Sequence, residues 1–337
     1  VTEPGSSKGR LAELDALRGI AAMAVVLFHY TVKAPEILPS VETFKSGFLY
    51  GEYGVQLFFA ISGFVIFMTL ERTRTSADFA FARFTRLFPA YWAAILLTTG
   101  ILHLLGTTAL MQPSSVVAAN FTMLQGFVYL PAVDGVYWSL EVELAFYLCM
   151  WAMWRAGLLA RIEPILCAWI ALRFVWFLLD LPWIGAKLLL LDHIAFFAIG
   201  IAAYRVRAGL RRWRDQAPVL LAGAIAVTLF DGVEMVLVYG STIAIFAALV
   251  AEKLVFLDRP VLIWLGALSY PLYLVHQNIG YAAIAALEAA GVPVWAAVLG
   301  TIALAIGLAQ LVHELVETPS LRILRDFWKG RRAPKPA

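Results

Sequence analysis

The 337-residue chain is 62% hydrophobic and 15% charged, with a formal net charge of +3. A soluble domain of this size cannot enclose so much apolar surface in one core, and disorder needs the opposite composition. Two cysteines inside apolar runs, Cys149 and Cys167, make no disulfide scaffold, and so small a positive charge calls for no nucleic acid, which leaves an all-α polytopic membrane protein.

A helix needs roughly 20 mostly apolar residues to cross the hydrocarbon. Ten stretches come close: Leu11–Val32, Tyr53–Leu70, Ala90–Leu105, Val136–Trp154, Leu158–Leu179, Leu188–Tyr204, Ala217–Phe230, Val233–Val250, Val261–Leu287 and Pro293–Val316. The first carries Glu13, Asp15 and Arg18 at its start, and no small-residue cleavage site follows His29 and Tyr30, so it reads as a retained helix. Putting both termini in the cytoplasm places 21 of the 26 basic residues inside, from Lys8 and Arg10 to Lys335. Only Lys33, Lys45 and Lys187 then fall outside, while Arg18 and Arg173 lie within spans. The apolar region Ser114–Leu130 would invert every later loop if it crossed, so it is expected to be re-entrant or interfacial. It belongs to a stretch without Lys or Arg, Gly106–Gly135, whose Asn-Phe-Thr sequon at Asn120 is read as chance. The whole chain, 1–337, reads as one membrane domain, with a core over 11–320 and a short basic tail over 321–337 able to form at most a surface helix.

The few polar groups inside the spans are costly and so informative. Arg18 and His29 are eleven residues apart, which sets them on one helical face about 16.5 Å apart along the axis. A cation near the cytoplasm and a titratable base deeper in suit an anionic head group with a long arm. A snorkelling arginine and a histidine bonded to a neighbouring helix fit the spacing equally well. Arg83 and Arg86, three apart before Pro89, suit a phosphate or pyrophosphate, although the spacing alone favours ordinary anchoring at the cytoplasmic surface. Glu141 and Glu143 are two apart and point to nearly opposite faces, so one is expected to line a cavity and the other to find a partner elsewhere. Glu143, about two turns deep, is the functional candidate. Arg173 with Asp192-His193, toward the outer half, reads as a structural ion pair first and as part of an acceptor site second. Ser269, Tyr273 and His276 form a polar stripe on the ninth span, where Pro271 is expected to free a carbonyl and kink the helix. His313-Glu-Leu-Val-Glu317 begins like a zinc-protease signature but lacks its second histidine, so no metal is expected.

Six motifs in order resemble the integral-membrane acyltransferase-3 family, which O-acylates carbohydrates and other extracytoplasmic molecules in bacteria. They are Leu14-Asp-Ala-Leu-Arg-Gly19 with its spacing to His29, Phe58-Phe-Ala-Ile-Ser-Gly-Phe64, Arg83-x-x-Arg86-x-x-Pro89, Trp138-Ser-Leu-Glu-Val-Glu143, Ser269-Tyr-Pro-Leu-Tyr-Leu-Val-His276 and Val316-Glu-Thr-Pro319. One departure stands out: many relatives carry an acidic residue before the Phe-Phe pair, where this chain reads Gly54-Val-Gln-Leu-Phe58.

The resemblance implies about ten helices around a central cavity in the bacterial inner membrane. Acetyl-CoA would be the donor on the cytoplasmic side, with succinyl or longer acyl groups left open. The acceptor would be a hydroxyl of a cell-surface or exported polysaccharide or glycolipid. It implies His29 as the catalytic base and Arg18, Arg83 and Arg86 as donor-binding groups. Glu143 is expected to orient the imidazole or act as a second acid or base. Ser62, Trp138, Ser139, Ser269, Tyr273 and His276 are expected to line the cavity or touch substrate. Expected partners are acetyl-CoA, the glycan acceptor and the lipid bilayer, with homo-oligomers left open. A transporter or flippase for a glycan, lipid or small acid is the rival class, since intramembrane Arg, His and Glu would serve it too.

Overall fold

A computed structural model describes residues 11–41 and 47–332. Lys8, Arg10, Lys45 and Lys335, which enter the orientation argument, lie outside the described residues. Within them every regular element is helical, with no strand. Twelve helices are 13 residues or longer: α1 (Ala12–Phe28), α2 (Gly54–Arg72), α3 (Ser76–Leu105), α4 (Trp138–Arg155), α5 (Ile162–Leu178), α6 (Ile194–Arg207), α7 (Trp213–Phe230), α8 (Gly232–Val250), α9 (Pro260–Val275), α10 (Gln277–Ala289), α11 (Val294–Val312) and α12 (Thr318–Arg332).

Helices occupy all ten expected stretches, but five segments are long and apolar enough to cross a membrane by length and composition: Ala12–Ile37, Leu49–Arg72, Ser76–Leu105, Gly232–Val250 and Val294–Arg331. The others fall short for visible reasons. α6 has 14 residues and α5 has 17, and α4 carries Glu141, Glu143 and Arg155. Ser114–Leu130 contains one seven-residue helix, Ser114–Asn120, too short to span. Asn120 is fully buried, donating to the carbonyls of Val116 and Pro131 and accepting from the Val133 N–H, so the sequon's side chain is committed to the fold.

Three departures from the expected helices bear on the site. α3 starts fourteen residues before the expected span and runs through Pro89, so Arg83 and Arg86 sit within a 30-residue helix rather than in a surface segment ahead of one. Its start is set by Thr75, whose hydroxyl caps the Asp78 N–H, and its end by Gly106 in the left-handed conformation. The ninth stretch is two helices: α9 continues past Pro271 and breaks five residues later, at His276. Both α1 and α11 widen into a π-helical turn, and each turn begins at a histidine, His29–Lys33 and His313–Glu317.

Two close helix pairs hold the bundle. α1 packs on α9 where Gly19 meets the Leu265–Gly266 backbone and Gly266 faces the carbonyl of Asp15, leaving no room for a Cβ on either glycine. α2 packs on α6 in the same way through Gly63 and Gly200. Small residues let backbones approach this closely in an apolar medium, where packing rather than hydrophobic burial holds helices together.

Candidate active site

The close approach of α1 and α9 brings the lower half of α1 beside α3 and α12, and a basic vestibule of about 680 Å³ opens there. Five cations line it, Arg18, Arg83, Arg86, Arg325 and Lys329, with the carboxylates of Asp15, Asp78 and Glu317. A second cavity of about 90 Å³ lies deeper, lined by Ser62, Ser139, Glu143, Tyr147, Ser269, Tyr270 and Tyr273 among apolar side chains. Arg18, Arg83 and Arg86 line both, so the three arginines form the neck between a wide basic mouth and a narrow inner cavity.

Each neck arginine is held differently. Arg86 pairs with Glu317, which is 3% exposed, and lies over the Tyr270 ring at 5.2 Å. The π-helical turn at His313 aims that carboxylate, since His313 Nδ1 also bonds Glu317 at 2.8 Å. Arg18 has Asp15 at 3.7 Å on its own helix. Arg83 sits 5.6 Å from the Tyr147 ring, and its buried Nε has no hydrogen-bond partner.

The two glutamates of α4 part company. Glu143 lines the inner cavity and accepts hydrogen bonds from Ser62 (2.9 Å) and Tyr147 (2.5 Å). Glu141, 2% exposed, pairs with Lys187 at 2.5 Å and accepts from the Gly126 N–H, tying α4 to the short helical segments Trp183–Leu188 and Gln125–Val128. Arg173 holds Asp231 through two 2.7 Å hydrogen bonds, with Asp192 a second partner at 3.1 Å, so the expected ion pair is chiefly with Asp231. His193 packs between Phe59 and Trp138.

At the end opposite the vestibule, His29 meets His276. The His29 Nδ1 lies 2.9 Å from the Val25 carbonyl and 3.1 Å from His276 Nε2. His276, fully buried, places its own Nδ1 against the carbonyls of Leu272 and Tyr273. A carbonyl only accepts, so each Nδ1 carries the hydrogen and each neutral ring keeps its lone pair on Nε2. His276 Nε2 can then accept from His29, which leaves His29 Nε2 as a basic nitrogen with no partner among the described residues. His29 therefore takes its orientation from Val25 and His276, and Glu143, which accepts from Ser62 and Tyr147, is not among its hydrogen-bond partners.

The break in α9 that positions His276 is satisfied on all sides, as irregular backbone at membrane depth must be. Tyr30 donates to the His276 carbonyl at 2.7 Å, and the buried Asp134 accepts from the Asn278 N–H at 2.9 Å. Of the residues expected near substrate, Ser62, Ser139, Ser269 and Tyr273 line the inner cavity, with Ser139 and Tyr273 bonded to each other at 2.7 Å. His276 and Trp138 do not; Tyr273, whose ring is 5.8 Å from that of His276, connects the cavity to the histidine pair. Glu317, Tyr147, Tyr270 and Tyr30 gained no role from the sequence. The available signals were motif positions, Glu317 in Val316-Glu-Thr-Pro319 and Tyr270 in Ser269-Tyr-Pro-Leu-Tyr-Leu-Val-His276. Among the described residues no three His, Cys, Asp or Glu side chains are grouped to hold a metal.

Comparison with known proteins gives the chain's family. The family profile described as an acyltransferase domain matches residues 11–314. The chain is 27% identical to nodulation protein 10 of Rhizobium leguminosarum bv. viciae, over 97% of each chain. It is 26% identical to acyltransferase MdmB of Streptomyces mycarofaciens, over 96% of this chain and 94% of the relative. No solved structure matches it. The chain belongs to the acyltransferase-3 family and is a multi-pass membrane acyltransferase.

Proposed function

We propose that this acyltransferase moves an acetyl group from acetyl-CoA on the cytoplasmic side to a hydroxyl of an extracytoplasmic glycan or glycolipid, in a bundle of about ten spans with both termini inside the bacterial inner membrane's cytoplasmic face. The observation that carries the reading is the shared neck: a wide basic vestibule narrows through Arg18, Arg83 and Arg86 into a small polar cavity. That shape suits a donor with a bulky polyanionic head and a thin arm. The nucleotide head fits the vestibule, its diphosphate the neck guanidinium groups, and its pantetheine arm the inner cavity. Glu143, with Ser62 and Tyr147, is placed to accept from amide N–H groups of that arm, which makes it a donor-positioning group.

At the far end His29 Nε2 accepts the acceptor's hydroxyl proton as the oxygen attacks the thioester carbonyl. The C–S bond breaks, and the imidazolium returns the proton to the departing thiolate. General-base assistance of this kind contributes typically about 10²–10⁴-fold. Mass spectrometry of envelope and secreted glycans from cells with and without the gene tests the reading. An acetyl mass lost with the gene and restored by the wild-type protein supports it. Glycans unchanged, with solute flux that consumes no acetyl-CoA, would point to the transporter class instead.

A further inference from the structure

The vestibule contains cations that the neck does not use. α12 begins directly after Glu317, and its residues Leu321, Arg325, Trp328 and Lys329 recur every three or four positions along one face that lines the vestibule. Ile323 and Phe327 are exposed on the other side. Arg325 lies eight residues beyond the Arg86 partner Glu317, about 12 Å along the helix. Arg325 and Lys329 are exposed and have no ion pair among the described residues, whereas Arg86 and Arg18 do.

The helix is fixed rather than loosely apposed. Trp328 stacks on Phe81 with ring centroids 4.3 Å apart and planes 12° from parallel, and its indole N–H donates to Asp78 at 2.9 Å. Phe81 and Asp78 belong to the first turns of α3, and Arg83 and Arg86 follow on the same helix two and five residues beyond Phe81. Rim and neck are therefore held at a set separation by one helix.

We propose that Arg325 and Lys329 form a subsite for the 3′-phosphate of a CoA donor, with the Trp328–Phe81 stack beside them as the platform for its adenine ring. The inference rests on the donor reading above and sharpens it. CoA carries two anionic groups at different distances from the thioester, a diphosphate and a ribose 3′-phosphate, and the vestibule offers cations at two depths. An arginine and a lysine one turn apart provide a fork and a point charge for a terminal phosphate. Because the nucleotide is remote from the reacting carbonyl, this subsite acts on donor affinity and donor choice. It selects CoA thioesters over acyl groups carried on phosphopantetheine, which has no nucleotide.

The test is binding of CoA and of 3′-dephospho-CoA to the full-length protein in lipid nanodiscs. The wild type should prefer CoA by about tenfold or more, the effect of one charge-assisted contact set. In the Arg325→Ala/Lys329→Ala variant the preference should fall to near unity, with dephospho-CoA affinity unchanged. The charge-preserving Arg325→Lys/Lys329→Arg variant should keep most of it, which separates charge loss from misfolding. Equal affinity of the wild type for the two ligands, or a preference that survives the double alanine variant, overturns the subsite while leaving the donor reading in place. No binding of CoA or acetyl-CoA by a folded wild type overturns both.

Discussion

The proposed base owes its competence to a second histidine. His276 Nε2 accepts from His29 Nδ1, and that bond, with the one to Val25, keeps the lone pair of His29 on Nε2. His276 touches no reacting atom in this arrangement and acts as a positioning residue. His276→Ala should lower kcat by about 10–100-fold, the usual cost of losing an outer hydrogen-bond partner, with the KM for acetyl-CoA unchanged. His276→Gln, whose side-chain oxygen can also accept from Nδ1, should recover much of the rate. A glutamine variant as inactive as the alanine one would show that His276 does more than accept this bond. Glu317 makes the corresponding case for the neck. Its removal takes from Arg86 its ion-pair partner and leaves it beside Arg18 and Arg83 in the neck, so Glu317→Gln should destabilise the protein by about 1–3 kcal/mol and weaken CoA binding, measured by thermal unfolding and by titration in nanodiscs. At this scale the sequence was partly legible. The spacing of Arg18 to His29 and the opposed faces of Glu141 and Glu143 could be read from helical periodicity. The His29–His276 contact could not, because it joins positions 247 apart.

Helices carry these residues to their places through irregularities. The π-helical turns at His29 and His313 and the break of α9 at His276 all occur where a site residue must leave the regular helical path. Hydrophobic patterning reports where helices run and is nearly blind to such turns, so Pro271 looked like the kink although the break comes at His276. The same blindness applies to helix contacts. Gly19 and Gly266 each look unremarkable in sequence, but together they allow the α1–α9 approach on which the vestibule depends. Gly266→Val would drive a side chain into the Asp15 carbonyl and should cost about 1–3 kcal/mol through overpacking. Thermal unfolding in detergent should show a lowered midpoint, while Gly240→Ala, at a position with open space around it, should leave it unchanged. Equal midpoints for Gly266→Val and wild type would mean the helices can part without loss.

Across the whole molecule, the cavities follow the charge asymmetry. Five cations gather around the vestibule, and the chain narrows from that basic mouth toward the histidine pair at the opposite end. Composition made the membrane class readable from the sequence. What it could not convey is that Leu321, Arg325, Trp328 and Lys329 line the vestibule, since α12 continues the last helix and closes one side of it. A basic tail reads as surface charge until its partners on α3 are in view. In the proposed mechanism chemistry occurs at His29 and the donor's head group binds at the other end. The most direct test is acetyl transfer by the purified protein in nanodiscs, from acetyl-CoA to glycan isolated from cells lacking the gene. His29→Ala should lose at least about 10²-fold in kcat while binding acetyl-CoA as the wild type does. Transfer at the wild-type rate by His29→Ala would contradict the account.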